Sequence, residues 1–464
     1  MYFEQISTPG LGCFSYVIGC PESGVMAVVD PRRDVDVYLR IAEENGMSVT
    51  HIFDTHIHAD HVSGAQELQA ATNAVLYLHE SADVAYEIKK MKNGDIFMLG
   101  TAVMQVLHTP GHTPNSVSFL VSDLSSSPEP AMILTGDLLF VGDIGRPDLP
   151  GADVLEEQVE NLYHSLYETF AQLPDYLEVY PAHGQGSLCG QGMSAKPHTT
   201  LGYERLANPM LKYSEYKDFK QAILSNLPMR PQSFSSIITA NRSKAILMHR
   251  IGQIEYALSA DKVEELRESG AVLLDLRDDS AYAEAHLPGS IHVDFSGGPM
   301  LNWVGVAVPP GMPLVLILPA DDFFDEMCVE LRRIGYDTIV GWLKGGLSAW
   351  QSSGKETQNL PYLSPAELRE RLRGSNPPSL VDVRNQSEFE SMHIEGSLNI
   401  GFDRITGQDG CPLSGEEQIV VICLSGFRSS IAASLLQKQG CSQVSVLSGG
   451  LEEWGDTIQD ALRL

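Results

Sequence analysis

At 464 residues the chain is too long for one hydrophobic core and is sized for two to four domains. Its 43% hydrophobic and 20% charged residues describe an ordinary globular composition, and a formal charge of −29 without any basic stripe argues against nucleic acid as a partner. The opening MYFEQISTPGLGCFSYVIGCPESG lacks a basic segment followed by a long apolar one, and no run reaches the roughly 20 apolar residues of a bilayer span, so neither a leader nor a membrane partner is expected.

In chain order, the first half is a series of apolar, strand-like runs that each end in a ligand-type residue. VTHIFDT leads to His56, AVMQVLHTPG to His112, AMILTG to Asp137 and YLEVYPA to His183. Residues delivered from several strand ends can converge at one sheet edge, where loops carry chemistry. The first run opens into His56-x-His58-x-Asp60-His61, ahead of a helix predicted over SGAQELQAAT. On a bend this spacing aims imidazoles and a carboxylate inward; the plain alternative is that they only cap and turn the chain. Imidazole with carboxylate suits zinc or iron, and the absence of nearby thiols argues against a structural zinc site. Arg146, in GDIGRPD, follows Asp137 closely enough to bring positive charge toward an anionic substrate. Cys189, six residues after His183 in HGQGSLCGQG, is a candidate sulfur acceptor, set against a merely structural thiol. His51, His79, His108, His164, His198 and His249 stand in no readable motif and are expected to pack or face solvent.

The second half repeats itself. LLDLRDDSAYAEAHLPG (273–289) aligns without a gap to LVDVRNQSEFESMHIEG (380–396), matching Asp275 and Arg277 with Asp382 and Arg384, and His286 with His393. Each copy continues through an apolar strand, VLIL (315–318) or VVIC (420–423), and closes on GGLxxW, ending at Trp350 or Trp454. A period of about 105 residues is a domain duplication rather than a solenoid repeat. Strand-like runs alternating with helical patterns such as SPAELRERLRG predict two α/β domains with largely parallel sheets. The expected domains are residues 1–245, 258–355 and 362–464, the last two separated by the polar QSSGKETQNLP.

CLSGFRSS (423–430) follows the buried-strand pattern QIVVI and precedes a helix beginning near Ser429. A cysteine in such a loop, beside a helix N-terminus and Arg428, is placed for thiolate or persulfide chemistry, because each feature favours the anion. The first copy has Leu318 in place of Cys423, followed by acidic and aromatic residues, and is expected to be non-catalytic. Cys328, Cys411 and Cys441 lack comparable surroundings. The seven cysteines are sparse and contain no CxxC pair, so a reducing, cytoplasmic setting is the simplest expectation.

THIHADH, PGHTPNS, LTGDLLFVGDIGRPD and YPAHG together resemble the metallo-β-lactamase superfamily, in its glyoxalase II and persulfide dioxygenase branch. That resemblance implies an αββα sandwich with a metal at one edge. In the hydrolases of this branch His56, His58 and His112 would hold one metal and Asp60, His61 and His183 a second, with Asp137 bridging. In the dioxygenases His56, His112 and Asp137 would hold a single iron, with His58, Asp60, His61 and His183 around it. VDVR, CLSGFR, MHIEG and SGGLEEW over 362–464 resemble the rhodanese sulfurtransferases. Four residues separate Cys423 from Arg428, where the related phosphatase loops use five, and the tighter spacing favours sulfur chemistry.

The fold expected is therefore an αββα metallo-β-lactamase sandwich followed by two rhodanese-type α/β domains, the first degenerate. The activity expected is Fe(II)-dependent oxidation of a small thiol persulfide by O2 to sulfite, coupled through Cys423 to sulfane-sulfur transfer to or from thiosulfate. One alternative is a two-zinc thioester hydrolase with an appended sulfurtransferase; another is a sulfur-relay docking protein. A homo-oligomer is compatible with the sequence.

Overall fold

The computed structural model describes residues 1–8, 10–190, 192–225, 227, 229–248, 251, 257–296, 299–407, 413, 415 and 417–461. His249 and Cys411 lie outside the described residues. Two compact units emerge, one of Met1–Pro228, Phe234–Gly252 and Arg332–Gly335, the other of Met229–Ser233, Gln253–Leu331 and Tyr336–Leu464. Among the described residues no helix is long and apolar enough to cross a membrane.

Among the described residues the first unit is built on twelve strands: β1 Tyr2–Thr8, β2 Cys13–Cys20, β3 Val25–Val29, β4 Ser48–Phe53, β5 Val75–His79, β6 Lys89–Met91, β7 Ile96–Leu99, β8 Ala102–His108, β9 Val117–Asp123, β10 Met132–Gly136, β11 Glu178–Pro181 and β12 Thr199–Thr200. They form two six-stranded sheets, β1 to β6 in sequence order and β12-β11-β10-β9-β8-β7. Side-chain alternation along the strands decides the layering. Val29, Phe53, Met104, Phe119, Val121 and Leu134 meet between the two sheets. The intervening positions turn outward. Val28 and Ile52 pack on Tyr38 and Leu68 of the helices Asp36–Glu44 and Ala65–Thr72. Leu120, Ile133 and Val179 pack on Val159, Leu162, Phe219 and Ile223 of the helices Leu155–His164 and Tyr216–Ser225. The result is the αββα sandwich that the resemblance implied.

In the second unit the duplication is visible in the topology. The first copy pairs Ala257–Leu258, Ile339–Leu343, Leu314–Ile317, Val272–Asp275 and Ile291–His292 into a parallel five-stranded sheet. The second arranges Tyr362–Leu363, Gln443–Leu447, Gln418–Ile422, Ser379–Asp382 and Leu398–Asn399 in the same spatial order. The copies touch along the helix Phe427–Lys438: Ser434 Oγ accepts from the backbone N–H of His292 at 3.0 Å, and Lys438 Nζ donates to Gly289 O at 3.3 Å. Trp303 of the first copy lies 5.0 Å from Phe402 and 6.1 Å from Phe427 of the second, measured between ring centroids.

The GGLxxW tryptophan of the first copy is a core anchor. Trp350 is buried and packs with Leu273, Val315 and Leu343, while its Nε1–H donates to Glu356 O at 2.8 Å. Trp350→Ala is expected to cost about 3–5 kcal/mol through the cavity left behind, read as a lowered urea midpoint of the second unit's unfolding.

Candidate metal centre and cysteine loop

The ligand-type residues of the first unit are brought together by the strands that precede them. His56, His58, Asp60 and His61 follow β4, His112 follows β8, Asp137 follows β10 and His183 follows β11. All seven are at least nine-tenths buried. Gly111 lets the β8 loop reach its place: its φ is +144°, and a Cβ there would lie 2.4 Å from Leu162 Cα.

His56, His112 and Asp137 form one cluster whose ligand atoms lie within 4.8 Å of each other. Asp137 Oδ2 is 3.3 Å from His112 Nε2 and 3.8 Å from His56 Nε2. Both histidines are oriented from behind. Asp30, in a left-handed backbone (φ 51°), accepts from Thr55 N at 2.7 Å and Thr55 Oγ1 at 2.9 Å. Because the Thr55 hydroxyl proton is committed to Asp30, its oxygen accepts from His56 Nδ1–H at 2.9 Å. His112 Nδ1–H donates to Arg146 O at 2.8 Å. Both Nε2 lone pairs therefore point into the cluster.

Four buried atoms are left there without a hydrogen-bond partner among the described residues: His56 Nε2, His112 Nε2, Asp137 Oδ2 and His58 Nδ1. Buried polar atoms are rarely unsatisfied, and an orphaned set of two imidazoles and a carboxylate fits a metal ion. Electrostatics agree with metal-ready protonation. Burial, with His58 adding to it, holds His56 well below its ordinary value, and burial likewise lowers His112. Burial opposes ionisation of Asp137, yet His183 and His112 hold its carboxyl well below the usual carboxylate range.

A second group lies on the other side of Asp137. His183 Nδ1 is 2.5 Å from Asp137 Oδ1 and its Nε2 is 2.8 Å from Asp60 Oδ2, while His61 Nδ1 is 3.2 Å from that same Asp60 oxygen. Against the effect of burial, the Asp137 and Asp60 carboxylates raise His183 well above its ordinary value. His58 donates through Nε2 to Asp30 Oδ1 at 3.0 Å.

Two residues that local sequence did not point to are built into this site. Asp30 follows the apolar run VMAVV and so obeys the same strand-end rule as the other ligand-type residues. Cys13 has no such signal. The sequence expectation that no thiol lies near the histidines is corrected here: Cys13 pairs with His183 in an isolated antiparallel bridge, which puts Sγ 3.1 Å from Asp60 Oδ2.

Arg146 is buried, and its guanidinium is clamped by Asp148 at 2.7 and 2.8 Å, so its charge is compensated within the chain. Cys189 offers its sulfur within 4.8 Å of ligand atoms of Asp137 and His183, and burial pushes its thiol well above its usual value. Cys189 and Arg146 also line a cavity of about 200 Å³ with Asp143, Ile144, Met210 and Leu227. The motif-free histidines pack or face solvent: His51 stacks on Phe53 and Tyr77, His79 on His108 and His198 on Tyr180, while exposed His164 meets Glu160 and Glu168.

Gly145 closes the loop after Asp137. A Cβ there would lie 1.8 Å from Asp137 O and 3.2 Å from His112 Nδ1. Gly145→Ala is expected to leave a folded chain that retains less than about a tenth of the parent's metal, measured by elemental analysis after dialysis.

In the second unit Cys423 is buried at the end of the strand Gln418–Ile422 and accepts the Gly426 N–H at Sγ, 3.1 Å away. Gly426 is left-handed (φ 107°) and caps the helix Phe427–Lys438. Arg428 holds Glu388 through both guanidinium nitrogens, at 2.9 and 2.7 Å, while remaining close enough to Cys423 to interact with it electrostatically. In the first copy Leu318 is buried at the matching strand end, and Asp321 Oδ1 accepts from Gly345 N at 3.1 Å. Apolar and acidic groups thus occupy the place of the thiol and its loop.

A family model of the metallo-beta-lactamase superfamily matches residues 8–183, and one of the rhodanese-like domain matches 259–353 and 364–457. The mitochondrial persulfide dioxygenase ETHE1 of Bos taurus is 29% identical over 246 residues, covering 51% of this chain and 86% of that protein. A hydroxyacylglutathione hydrolase of Polaromonas sp. is 35% identical over 173 residues, covering 37% of this chain and 61% of that protein. The solved metallo-beta-lactamase from Staphylococcus aureus subsp. aureus COL aligns with a TM-score of 0.66 at 31% identity, over 74% of this chain and 99% of that one. The chain belongs to the metallo-β-lactamase superfamily, with tandem rhodanese-like domains in its C-terminal half.

Proposed function

We propose that this protein is a persulfide dioxygenase with sulfurtransferase activity. The observation that carries the reading is the orphaned set His56 Nε2, His112 Nε2 and Asp137 Oδ2, two imidazoles and one carboxylate aimed at one point. This donor set fits a mononuclear ferrous ion with open positions. Ferrous iron, when bound, supplies the redox chemistry that lets O2 react with sulfur.

The chain's own residues do the rest. Thr55 and the Arg146 carbonyl fix the two imidazoles in the ligating tautomer. His183, held between Asp60 and Asp137, keeps a proton beside the reacting groups. The cavity of about 200 Å³ beside Cys189 and Arg146 is large enough for a small persulfide. A persulfide RSSH, O2 and water give RSH and sulfite. In the second unit, the Gly426 amide and Arg428 stabilise the anionic sulfur of Cys423. A Cys423 persulfide passes its outer sulfur to sulfite, the S–S bond breaking as thiosulfate forms and leaving the thiolate; the reverse transfer uses the same groups.

The test is oxygen consumption by anaerobically iron-loaded protein on addition of glutathione persulfide, with sulfite and thiosulfate quantified. Uptake that needs both iron and persulfide supports the reading. Its absence from protein shown to hold iron, with several persulfides, overturns it. The hydrolase alternative draws on the second cluster, Asp60, His61 and His183, and would be read as thioester cleavage by zinc-loaded protein.

A further inference from the structure

We infer that Glu204 and Asn208 are positioning residues that join three walls of the cavity beside Cys189 and so fix the space a persulfide enters. Each acts through the backbone it holds. Their kinetic consequence rests on the reaction proposed above, whereas the linkage itself does not.

The first wall is a hairpin. Leu139 and Ile144 pair in an isolated antiparallel bridge, Phe140 N–H donates to Asp143 O at 2.9 Å, and Gly142 turns the tip in a left-handed backbone (φ 84°). Gly142, Asp143, Ile144 and Arg146 of this hairpin line the cavity. Behind the tip stand Glu204, in the helix Leu201–Ala207, and Asn208, the residue after it, both 0% exposed. Glu204 Oε2 accepts from Gly142 N–H and from Asn208 Nδ2–H, each at 2.9 Å. Asn208 Nδ2 also donates to Asp143 O at 3.0 Å, and its Oδ1 accepts from Met210 N–H at 3.0 Å. Met210 and Pro209 are the second wall. The third is tied to the hairpin tip: Asp143 Oδ2 accepts from Gly192 N–H at 2.8 Å, and Ser194 N–H donates to Val141 O at 2.9 Å. Cys189, Gly190 and Gly192 line that side.

A fully buried carboxylate is a costly way to fill space, since an apolar side chain of similar volume needs no partner. Here the cost is not even fully offset: Glu204 Oε1 has no hydrogen-bond partner among the described residues. What the carboxylate adds is its pair of charge-assisted bonds to Gly142 and Asn208, which are stronger than neutral ones and pin the tip. The base of the hairpin is held separately. Thr135 Oγ1 donates to Leu139 O at 2.7 Å, and Gly145 N–H to Leu138 O at 3.3 Å. Asp137 and the Arg146 carbonyl, which serve the metal set, lie at that base. Loss of the Glu204 bonds therefore frees the cavity walls and spares the metal ligands, so substrate binding suffers and turnover of bound substrate does not.

The test uses the full, iron-loaded chain and glutathione persulfide. In Glu204→Leu the KM read from oxygen uptake is expected to rise roughly ten-fold, with kcat within about three-fold of the parent and iron retained by elemental analysis. Glu204→Gln keeps an oxygen that accepts both N–H groups, and its KM is expected within about two-fold of the parent. Asp143→Ala, at a half-buried position, cuts the tie to the third wall and is expected to raise KM as well, which keeps the test open should Glu204→Leu not fold. Because both residues act through one hairpin tip, the double variant is expected to exceed the worse single variant by less than about two-fold in KM. Hydrogen exchange of a peptide spanning residues 138–146 is expected to quicken at least about five-fold in Glu204→Leu and to stay at the parent rate in Glu204→Gln. That readout needs no turnover, so a parent that consumes no oxygen sinks the proposed reaction while exchange still decides the linkage. Parent-like exchange in Glu204→Leu, an unchanged KM in a parent-active chain, an equal rise in Glu204→Gln, or effects that multiply in the double variant overturn the inference.

Discussion

Asp137→Ala is expected to abolish iron retention and reduce persulfide-dependent oxygen uptake to background. The reason is geometric and electrostatic together. Among the described residues Asp137 is the one carboxylate of the first cluster, and its second oxygen also holds His183. Removing it leaves two neutral imidazoles that bind a divalent cation weakly, and strips His183 of one of its two acceptors. Iron is measured by elemental analysis after dialysis and uptake with an oxygen electrode. Sulfur transfer by Cys423 is assayed on the same preparation and should persist, which separates loss of the metal centre from loss of the protein. Full iron occupancy in this variant would remove Asp137 from the ligand set.

Cys423→Ser is expected to have the opposite profile. A hydroxyl at this position is not ionised near neutral pH and cannot carry a transferable sulfane sulfur. Thiosulfate-dependent sulfur transfer should therefore fall by roughly a thousand-fold or more. Oxygen uptake should remain within about two-fold of the parent, with sulfite accumulating in place of thiosulfate. The Gly426 amide and the Arg428–Glu388 pair would still be present, so the loss reads the sulfur itself rather than the loop. Transfer that survives the substitution would move the carrier to another thiol, Cys189 being the first to examine.

The parts of this molecule that were readable in sequence are those encoded locally. Each of His56, His112, Asp137 and His183 sits at the end of an apolar run, and the structure gathers all four because those runs are strands of one sandwich. The duplication was readable because both copies keep the same aspartate, arginine, histidine and tryptophan at matching intervals. The helix expected near Ser429 spans Phe427–Lys438, two residues earlier, because Gly426 in the left-handed region starts it immediately after the cysteine loop.

What escaped was nonlocal pairing. Nothing near Cys13 announces a partner 170 positions later, since the bridge to His183 is made by backbone groups that every residue carries. The charges of Arg146 and Arg428 looked available in sequence. Asp148, only two residues from Arg146, and Glu388, 40 residues from Arg428, compensate them in the folded chain.

The contacts along the helix Phe427–Lys438 bear on how the second unit comes apart. Trp303 and the His292 backbone of the copy with Leu318 in place of the cysteine lean on the same helix that opens beside Cys423. Two modules that share a structural member do not melt as independent beads; the loosening of one raises the free energy of the other. A single cooperative transition is the expected unfolding behaviour, and excising the first copy would bare the apolar side of the second. The copy without a cysteine at the strand end thus buttresses the helix on which the other copy's cysteine loop depends.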